Sequence, residues 1–440
     1  MSSVPFWLAL DWASTFAALN LDSDSVDTLA RRRLSHLLFD SARNNTFYSR
    51  RLQDVGIEWA DPVIWLDPYK ALAALQPVSK LELRQAGTKA LTGGQVHPHW
   101  YSSSSSGSTG EPFRVHYEPR AWARLKYAVK LRARRACGLG PTDRVAILDT
   151  TAPSQATGLQ QSLGWARISV LQPASAVADA LVSFAPDVVY GLPSALLEAG
   201  RALQLRGSRL QLSMIFTSGE LLNGSRASLS AAFEAPVYDI YGTSETKEIA
   251  WQCPHGGMHL NSDVVRLEVL DDSGRSVPAG EEGNLVATLL VNHAMPLLRY
   301  LTGDRGALLP GRCACRRSSP LLGVVSGRAA DMLVLSGGQR ISPYALTCAL
   351  ERVEGVLRYQ VSQLDPARVR VRAIAEGAAN RETIAREMRT ALRFDVASFL
   401  EADVEFVDRL PTGPRAKFRV VQPLSSTEGT LSSLVLTEDV

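Results

Sequence analysis

Between Val115 and Pro236, short β-branched runs alternate with helix-like stretches: RVAIL, DVVYG and LSMIFTSG are interleaved with segments such as PSALLEAGRALQLRG. That alternation admits few folds, because parallel strands must be joined by crossovers and the crossover helices cover the faces of the sheet. The class predicted is α/β. Helix-period apolar positions fill the first 90 residues, as in DTLARRRLSHLLFDSARN and YKALAAL. After Pro236 the texture turns to strands and tight turns (VRLEVLDDSGRSV, GNLVATLLV), which reads as an antiparallel β module. Beyond Gly327 come ISPYALTCALERV as a helix, RVRVRAIAEG as a strand, NRETIAREMRTALR as a helix and DVEFV as a strand. The expected organisation is a large α/β domain over 1–327 with a β-rich submodule, then a small mobile α+β domain over 328–440. The tail from Pro423 is expected to be mobile or docked.

Composition removes several function classes. With 47 Lys+Arg against 44 Asp+Glu the net charge is +3, without the concentrated basic stripe of a nucleic-acid binder. The apolar N-terminus carries Asp11 and no basic leader, so it reads as an amphipathic helix and not a signal peptide. No stretch of about 18 residues is free of polar breaks, so no spanning helix and no membrane partner are expected, and the expected compartment is the cytoplasm. Five scattered cysteines are too few for a disulfide scaffold. Only seven of the basic residues are lysines, and after Lys247 the single one is Lys417.

The segment YSSSSSGSTGEPFRVHY (101–117) places a polar loop between two predicted strands. Gly107 and Gly110 permit turns that aim N–H groups at an anion, and Ser106, Ser108 and Thr109 add hydroxyl donors, which suits a polyphosphate. The G-x-x-x-x-G-K-S/T phosphate loop is absent.

Downstream, TSGE (217–220), YGTSE (241–245), RYLTGD (299–304), GRAADMLVLSGGQRI (327–341) and LPTGPRAKFR (410–419) follow in order. Together with the loop they resemble the acyl-adenylate-forming superfamily, and LQPVSKLELR (75–84) resembles its phenylacetate–CoA ligase-like branch. The resemblance implies that a carboxylate attacks the α-phosphate of ATP, that pyrophosphate leaves, and that a thiol or amine then displaces AMP. It assigns Ser106, Gly107, Ser108, Thr109 and Gly110 to the phosphates, with Gly219 and Glu220 in the nucleotide site. Glu245 would hold magnesium with Thr243 in support, Tyr241 would pack on the adenine or the acyl pocket, and Asp304 would accept from both ribose hydroxyls. Arg328 would approach the ribose or phosphates, Asp331 would mark the hinge, and Lys417 would bridge carboxylate and α-phosphate as a compact ammonium. The acyl pocket candidates are Tyr190, Gly191, Phe216, Ser218, Gly219, Tyr241 and Gly242, whose apolar and small side chains suit an aromatic or hydrophobic acid. The sequence departs from the pattern at Glu111, Ala330 and Ala416, where the superfamily usually carries lysine, an acid and glycine.

Two other stretches carry chemistry. QCPHGGMHL and GRCACRR supply Cys253, Cys313 and Cys315 with His259, preferred over His255, as a closed structural zinc site. PRAWARLKYAVKLRARRACG (119–138) is a basic helix whose charges read as a solvated face, or alternatively as a contact for a CoA phosphate or carrier protein. The expected activity is that of an ATP- and magnesium-dependent acid ligase acting on a small-molecule carboxylic acid. CoA is the first acceptor, an amine or a carrier-protein thiol the alternatives, and a homodimer is left open. The rival expectation is a non-catalytic nucleotide-binding member of the same superfamily.

Overall fold

The computed structural model describes residues 6–105, 113–149, 164–222, 225–328, 332–336, 340–341, 346, 349–350, 353–377, 379–410 and 420–424. They fall in two compact units, one within Met1–Gly327, the other within Arg328–Gly413 and Phe418–Val440. Among the described residues no helix is long and apolar enough to cross a membrane.

The first 90 residues are helical, as their periodicity predicts, and their ends are set by short polar side chains. Asp22 accepts from the Ser25 N–H at 2.8 Å to open the helix Ser23–Asn44. Asn45 then accepts from the Tyr48 N–H at 3.0 Å and starts Thr46–Gln53. Ser79 and Glu82 form a reciprocal capping box at Lys80–Ala86. The inward face of these helices buries Leu34, Leu37, Leu38, Tyr48 and Leu52 against Val115, Tyr117 and Tyr300.

After the hairpin β1 (Tyr101–Ser105) and β2 (Phe113–Tyr117), five strands pair in parallel. They are β3 (Val145–Asp149), β4 (Trp165–Ser169), β5 (Val188–Gly191), β6 (Met214–Ser218) and β7 (Val237–Thr243). The expected antiparallel module is not a separate layer. β8 (Lys247–Gln252) turns straight back from β7 and pairs with it antiparallel, Ile240 opposite Trp251. β9 (Met258–Leu260), β10 (Val265–Leu270), β11 (Gly283–Leu289), β12 (Tyr300–Leu309) and β13 (Leu321–Arg328) extend the same sheet. Its order is β10-β11-β12-β13-β9-β8-β7-β6-β5-β3-β4. The reason is steric: a turn too short for a crossover returns its strand antiparallel beside the first, so β8 lands on the free edge of β7.

The basic stretch 119–138 is also not a solvated face. It forms Pro119–Ala123, a π turn over Arg124–Ala128, and Val129–Ala136. Arg132 and Arg134 are only 2% and 3% exposed. Arg134 reaches both oxygens of Glu248 at 3.0 and 3.3 Å. Arg132 donates to Asp263 Oδ2 at 3.0 Å, to Asn261 Oδ1 at 2.9 Å and to the Thr15 carbonyl at 2.7 Å. Arg33 adds a second guanidinium to Asp263.

In the second unit β14 (Leu333–Val334) pairs with β15 (Arg340–Ile341). A further sheet runs β18 (Glu401–Phe406), β17 (Arg368–Ala375), β16 (Val356–Asp365), β19 (Val421–Gln422). The helix Arg381–Asp395, capped by Asn380, buries Ile384, Ala385, Met388 and Leu392 on one stripe.

Burial works against the charge on Asp263, yet Arg132 and Arg33 outweigh it and hold the carboxyl below its ordinary value. A group so shifted contributes stability that is fully present above its unfolded pKa, about 4, and is lost as pH falls through the lower folded value. Asp263→Ala strands two buried guanidinium groups and is expected to cost about 3–5 kcal/mol in urea unfolding at pH 7. A loss below about 1 kcal/mol, the worth of an exposed pair, would mean the pair is effectively solvated.

Candidate active site

The carboxyl ends of β5, β6 and β7 meet where the sheet passes from parallel to antiparallel, the place at which α/β sheets open a crevice. The turn from β7 to β8 carries YGTSE. Gly242 sits at a register shift, and a Cβ there would lie 2.1 Å from the Lys247 carbonyl oxygen, so only glycine fits. Thr243 Oγ1 accepts from the N–H groups of Glu245 at 3.2 Å and Thr246 at 3.1 Å, which closes the turn. Thr243 is therefore the buckle that presents Glu245.

Glu245 is 6% exposed and faces the Lys80 ammonium at 3.2 Å. Burial alone would raise its carboxyl; the attraction and hydrogen bond of Lys80 prevail and lower it, so the buried group is a carboxylate at neutral pH. Tyr117 donates its phenol proton to the Glu245 carbonyl oxygen. Lys247 Nζ donates to the Ser244 carbonyl at 2.7 Å and lies over Tyr117.

Other candidates stand around this turn. Tyr241 donates to Asp304 Oδ2 at 2.9 Å, joining β7 to β12 through their side chains. The Asp304 N–H is held by Thr302 Oγ1 at 3.1 Å. Glu220 takes the N–H of Ser194 at 3.0 Å and its hydroxyl at 2.9 Å, capping the helix Pro193–Leu205 after β5. Gly219 adopts φ +85° just beyond Ser218 at the end of β6. A Cβ on Gly191 would lie 2.9 Å from that of Leu148, so β5 packs closely on β3 there. Tyr190 is half-buried, with the Arg134 guanidinium 4.8 Å above its ring. Phe216 is 1% exposed and packs beside Tyr238, with the Arg134 guanidinium 5.4 Å from its ring.

Residues 106–112, Asp331 and Lys417 lie outside the described residues, as do Ala330 and Ala416; of Arg328 the backbone is described, in β13. Sequence reasoning gave no role to Lys80, Tyr117, Arg134 or Glu248. The scarcity of lysine was the available signal: Lys80, Lys126, Lys130 and Lys247, four of the seven, are tied to this turn or its neighbours.

A second constellation lies at the far end of β8. The donor atoms of Cys253, His259, Cys313 and Cys315 all fall within 4.8 Å of one another. Cys253 Sγ is 3.5 Å from Cys313 Sγ, and Cys315 Sγ is 3.1 Å from His259 Nε2. Gly256 and Gly257 fold the loop tightly enough that a Cβ on Gly257 would lie 2.7 Å from Cys313 Sγ. His259 Nδ1 meets Ser319 Oγ at 2.9 Å, which fixes the ring with Nε2 toward the thiols. His255 is exposed and outside the group. Burial holds His259 neutral, its pKa down to about 4, and pushes the Cys253 thiol up to about 11. Three sulfurs and an imidazole at this spacing are a donor set for a tetrahedral ion.

Comparison with known proteins agrees with the motifs. No family model matches the chain. It is 26% identical over 375 residues to a phenylacetate–coenzyme A ligase of Thermus thermophilus, covering 80% of this chain and 82% of that one. Against the phenylacetate–coenzyme A ligase of Escherichia coli it is 27% identical, covering 71% and 74%. Among solved structures it superposes on a 2-hydroxyisobutyryl-CoA ligase in complex with 2-HIB-AMP at TM-score 0.78, 21% identity, over 92% and 91% of the two chains. An amide bond synthetase of Marinactinospora thermotolerans shares the fold at TM-score 0.54 and 19% identity, over 73% and 68%. The chain is thus a homologue of the phenylacetate–CoA ligases, on the α/β fold of the acyl-adenylate-forming ligases.

Tyr241→Phe removes the donor from Asp304 without emptying the space of the ring. It is expected to lower stability by about 0.5–1.5 kcal/mol in urea unfolding. An unchanged midpoint would show that the phenol contributes nothing to joining β7 and β12.

Proposed function

We propose that this protein is an ATP- and magnesium-dependent carboxylic acid ligase that makes an acyl-AMP from an aromatic or hydrophobic acid and passes the acyl group to CoA. The observation that carries the reading is the Glu245 turn: a buried carboxylate kept ionised by Lys80 at the point where the sheet changes sense. The curated relatives, named for CoA ligation, support the acceptor. An amine acceptor is the alternative, a carrier-protein thiol a third. The intact Glu245 and Asp304 weigh against a non-catalytic nucleotide binder. ATP and CoA are both cytoplasmic metabolites, which supports that compartment; a homodimer is the assembly to test.

In the first half-reaction a carboxylate oxygen of the acid attacks the α-phosphorus, the new acyl–phosphate bond forms, and the bond to pyrophosphate breaks. In the second, the thiol sulfur attacks the acyl carbon and AMP departs with the bridging oxygen, the thiol proton passing to solvent. Bringing two anions together needs aligned positive charge, and Lys417 is assigned to supply it between carboxylate and α-phosphate. Glu245 fits magnesium because it is a buried, ionised oxygen donor beside Thr243; when bound, the ion shields phosphate charge. Asp304 is assigned to the ribose hydroxyls, with Tyr241 orienting it. Ser106, Gly107, Ser108, Thr109 and Gly110 are assigned to the phosphates, together with Arg328, and Asp331 to the hinge between 1–327 and 328–440. Cys253, His259, Cys313 and Cys315 fit one zinc ion, which would pin the turn after β8 to the loop after β12.

Pyrophosphate release with ATP, magnesium and a panel of acids, each with and without CoA, tests the reading. One acid is expected to stimulate release, and Lys417→Ala to cut that rate by about a hundredfold or more. Release that ignores every acid would overturn the ligase reading, and an unaffected Lys417→Ala would remove the lysine from the chemistry. Protein purified without chelator is expected to hold close to one equivalent of zinc by elemental analysis, falling in Cys315→Ser; less than about half an equivalent would refute a closed site.

A further inference from the structure

Beside the Glu245 turn, cations gather around aromatic rings. Lys126 Nζ lies 4.3 Å and Lys247 Nζ 5.4 Å from the centroid of one indole, Trp122. Lys247 also lies 4.9 Å from the Tyr117 ring, and Lys130 5.7 Å from Tyr190. Tyr101 stacks on Trp122 at 5.2 Å with the rings 4° from parallel, so the indole is held in place.

The acids nearby are already engaged. Glu245 is with Lys80 at 3.2 Å, Glu248 is with Arg134 at 3.0 Å and Lys130 at 3.7 Å, and Asp149 is with Arg167 at 2.5 Å. Glu248 thus faces two cations, and Lys126 and Lys247 stand beside them with no salt bridge among the described residues. The lysines repel one another. Burial, with Arg167 and Lys130 adding to it, takes Lys126 down to about 8. An ammonium so placed gains most from an arriving anion.

The backbone gives independent support. Lys247 has φ +65°, a left-handed conformation that costs a residue with a long side chain about 1 kcal/mol and that glycine or asparagine would adopt more readily. Lysine stands there, at a strained position, with its ammonium turned back over Tyr117. Its bond to the Ser244 carbonyl at 2.7 Å holds that charge beside Trp122.

We propose that Lys126, Lys130 and Lys247, with the rings of Trp122 and Tyr190, form a subsite for a second anionic group on the acid, so that the acid activated here pairs a planar body with a carboxylate or sulfonate beyond the one that is adenylated. This rests on the ligase reading and narrows its substrate class. The rings of Trp122 and Tyr190 favour a flat organic anion over the nucleotide's phosphates, which present no apolar face to them.

The test uses the full protein and matched acids: phenylacetate against its ortho-, meta- and para-carboxy derivatives, and benzoate against the corresponding sulfobenzoates. At least one anion-bearing member is expected to exceed its parent by about ten- to a hundredfold in kcat/KM for pyrophosphate release. Lys126→Gln is expected to collapse that ratio while sparing the parent acid, and Lys126→Arg, which keeps a cation there, to preserve it. Calorimetry without ATP is expected to show the anion-bearing acid binding about tenfold or more tighter than its parent, and Lys126→Gln removing that difference. Neutral parents preferred throughout would overturn the inference while leaving the ligase reading intact. So would variants that slow both members of a pair equally, which places the lysines on the reacting carboxylate, or variants that raise only the KM for ATP. If no acid stimulates pyrophosphate release, the ligase reading fails, and the calorimetric arm alone decides the subsite: no binding of any anion-bearing acid refutes it.

Discussion

Glu248 and Arg134 are both nearly inaccessible, and almost every feature of the site follows from their pairing. Glu248 is the second residue of β8 and Arg134 belongs to the helix Val129–Ala136. A single charge left in that interior would cost several kcal/mol, so the helix has one seating that satisfies both partners. That seating brings Lys130 and Lys126, one and two turns earlier, to the side of the sheet on which the β7–β8 turn ends. The Arg132–Asp263 contact repeats the device two residues earlier on the same helix, and Arg120 and Arg124 anchor the preceding segment on Asp11. The π turn between them absorbs the mismatch in register.

The turn itself is determined from inside. Gly242 allows the β8 backbone to approach, Thr243 binds two N–H groups, and Tyr117 holds the Glu245 carbonyl, so the carboxylate is placed by contacts that do not involve its charge. Its charge is then settled by Lys80, from a helix that a capping box starts one residue earlier. A preorganised anion of this kind loses little on meeting a cationic partner, because its desolvation and orientation are already set in the folded protein.

Much of this was legible in the sequence. The alternation after Val115 contains the parallel strands, and the positions of YGTSE, TSGE and VVYG contain the crevice, because strand ends and turn residues are local properties. The cysteines and His259 were legible for a similar reason, as donors at turn-rich spacings. What was not legible is burial of charge. The stretch 119–138 has the composition of a solvated helix, and nothing local says that Glu248 and Asp263, more than a hundred residues away, will meet it. The continuity of β8 with β7 was hidden likewise, since an antiparallel texture looks the same in a separate module as on the edge of an existing sheet.

The cysteine cluster gains meaning from where its strands lead. Glu245 precedes β8 and Cys253 follows it; Asp304 lies within β12 and Cys313 comes after its end. The two carboxylates therefore sit on strands whose other ends converge on one group of four donors. Between β8 and β12 in the sheet stand only β9 and β13, and His259 belongs to β9 itself. An ion held there would fix these strands against sliding, since a shift of one residue would pull a ligand from the group. The distance between Glu245 and Asp304 would then be set at the far end of the sheet, away from any substrate, by bonds that do not change as ligands come and go.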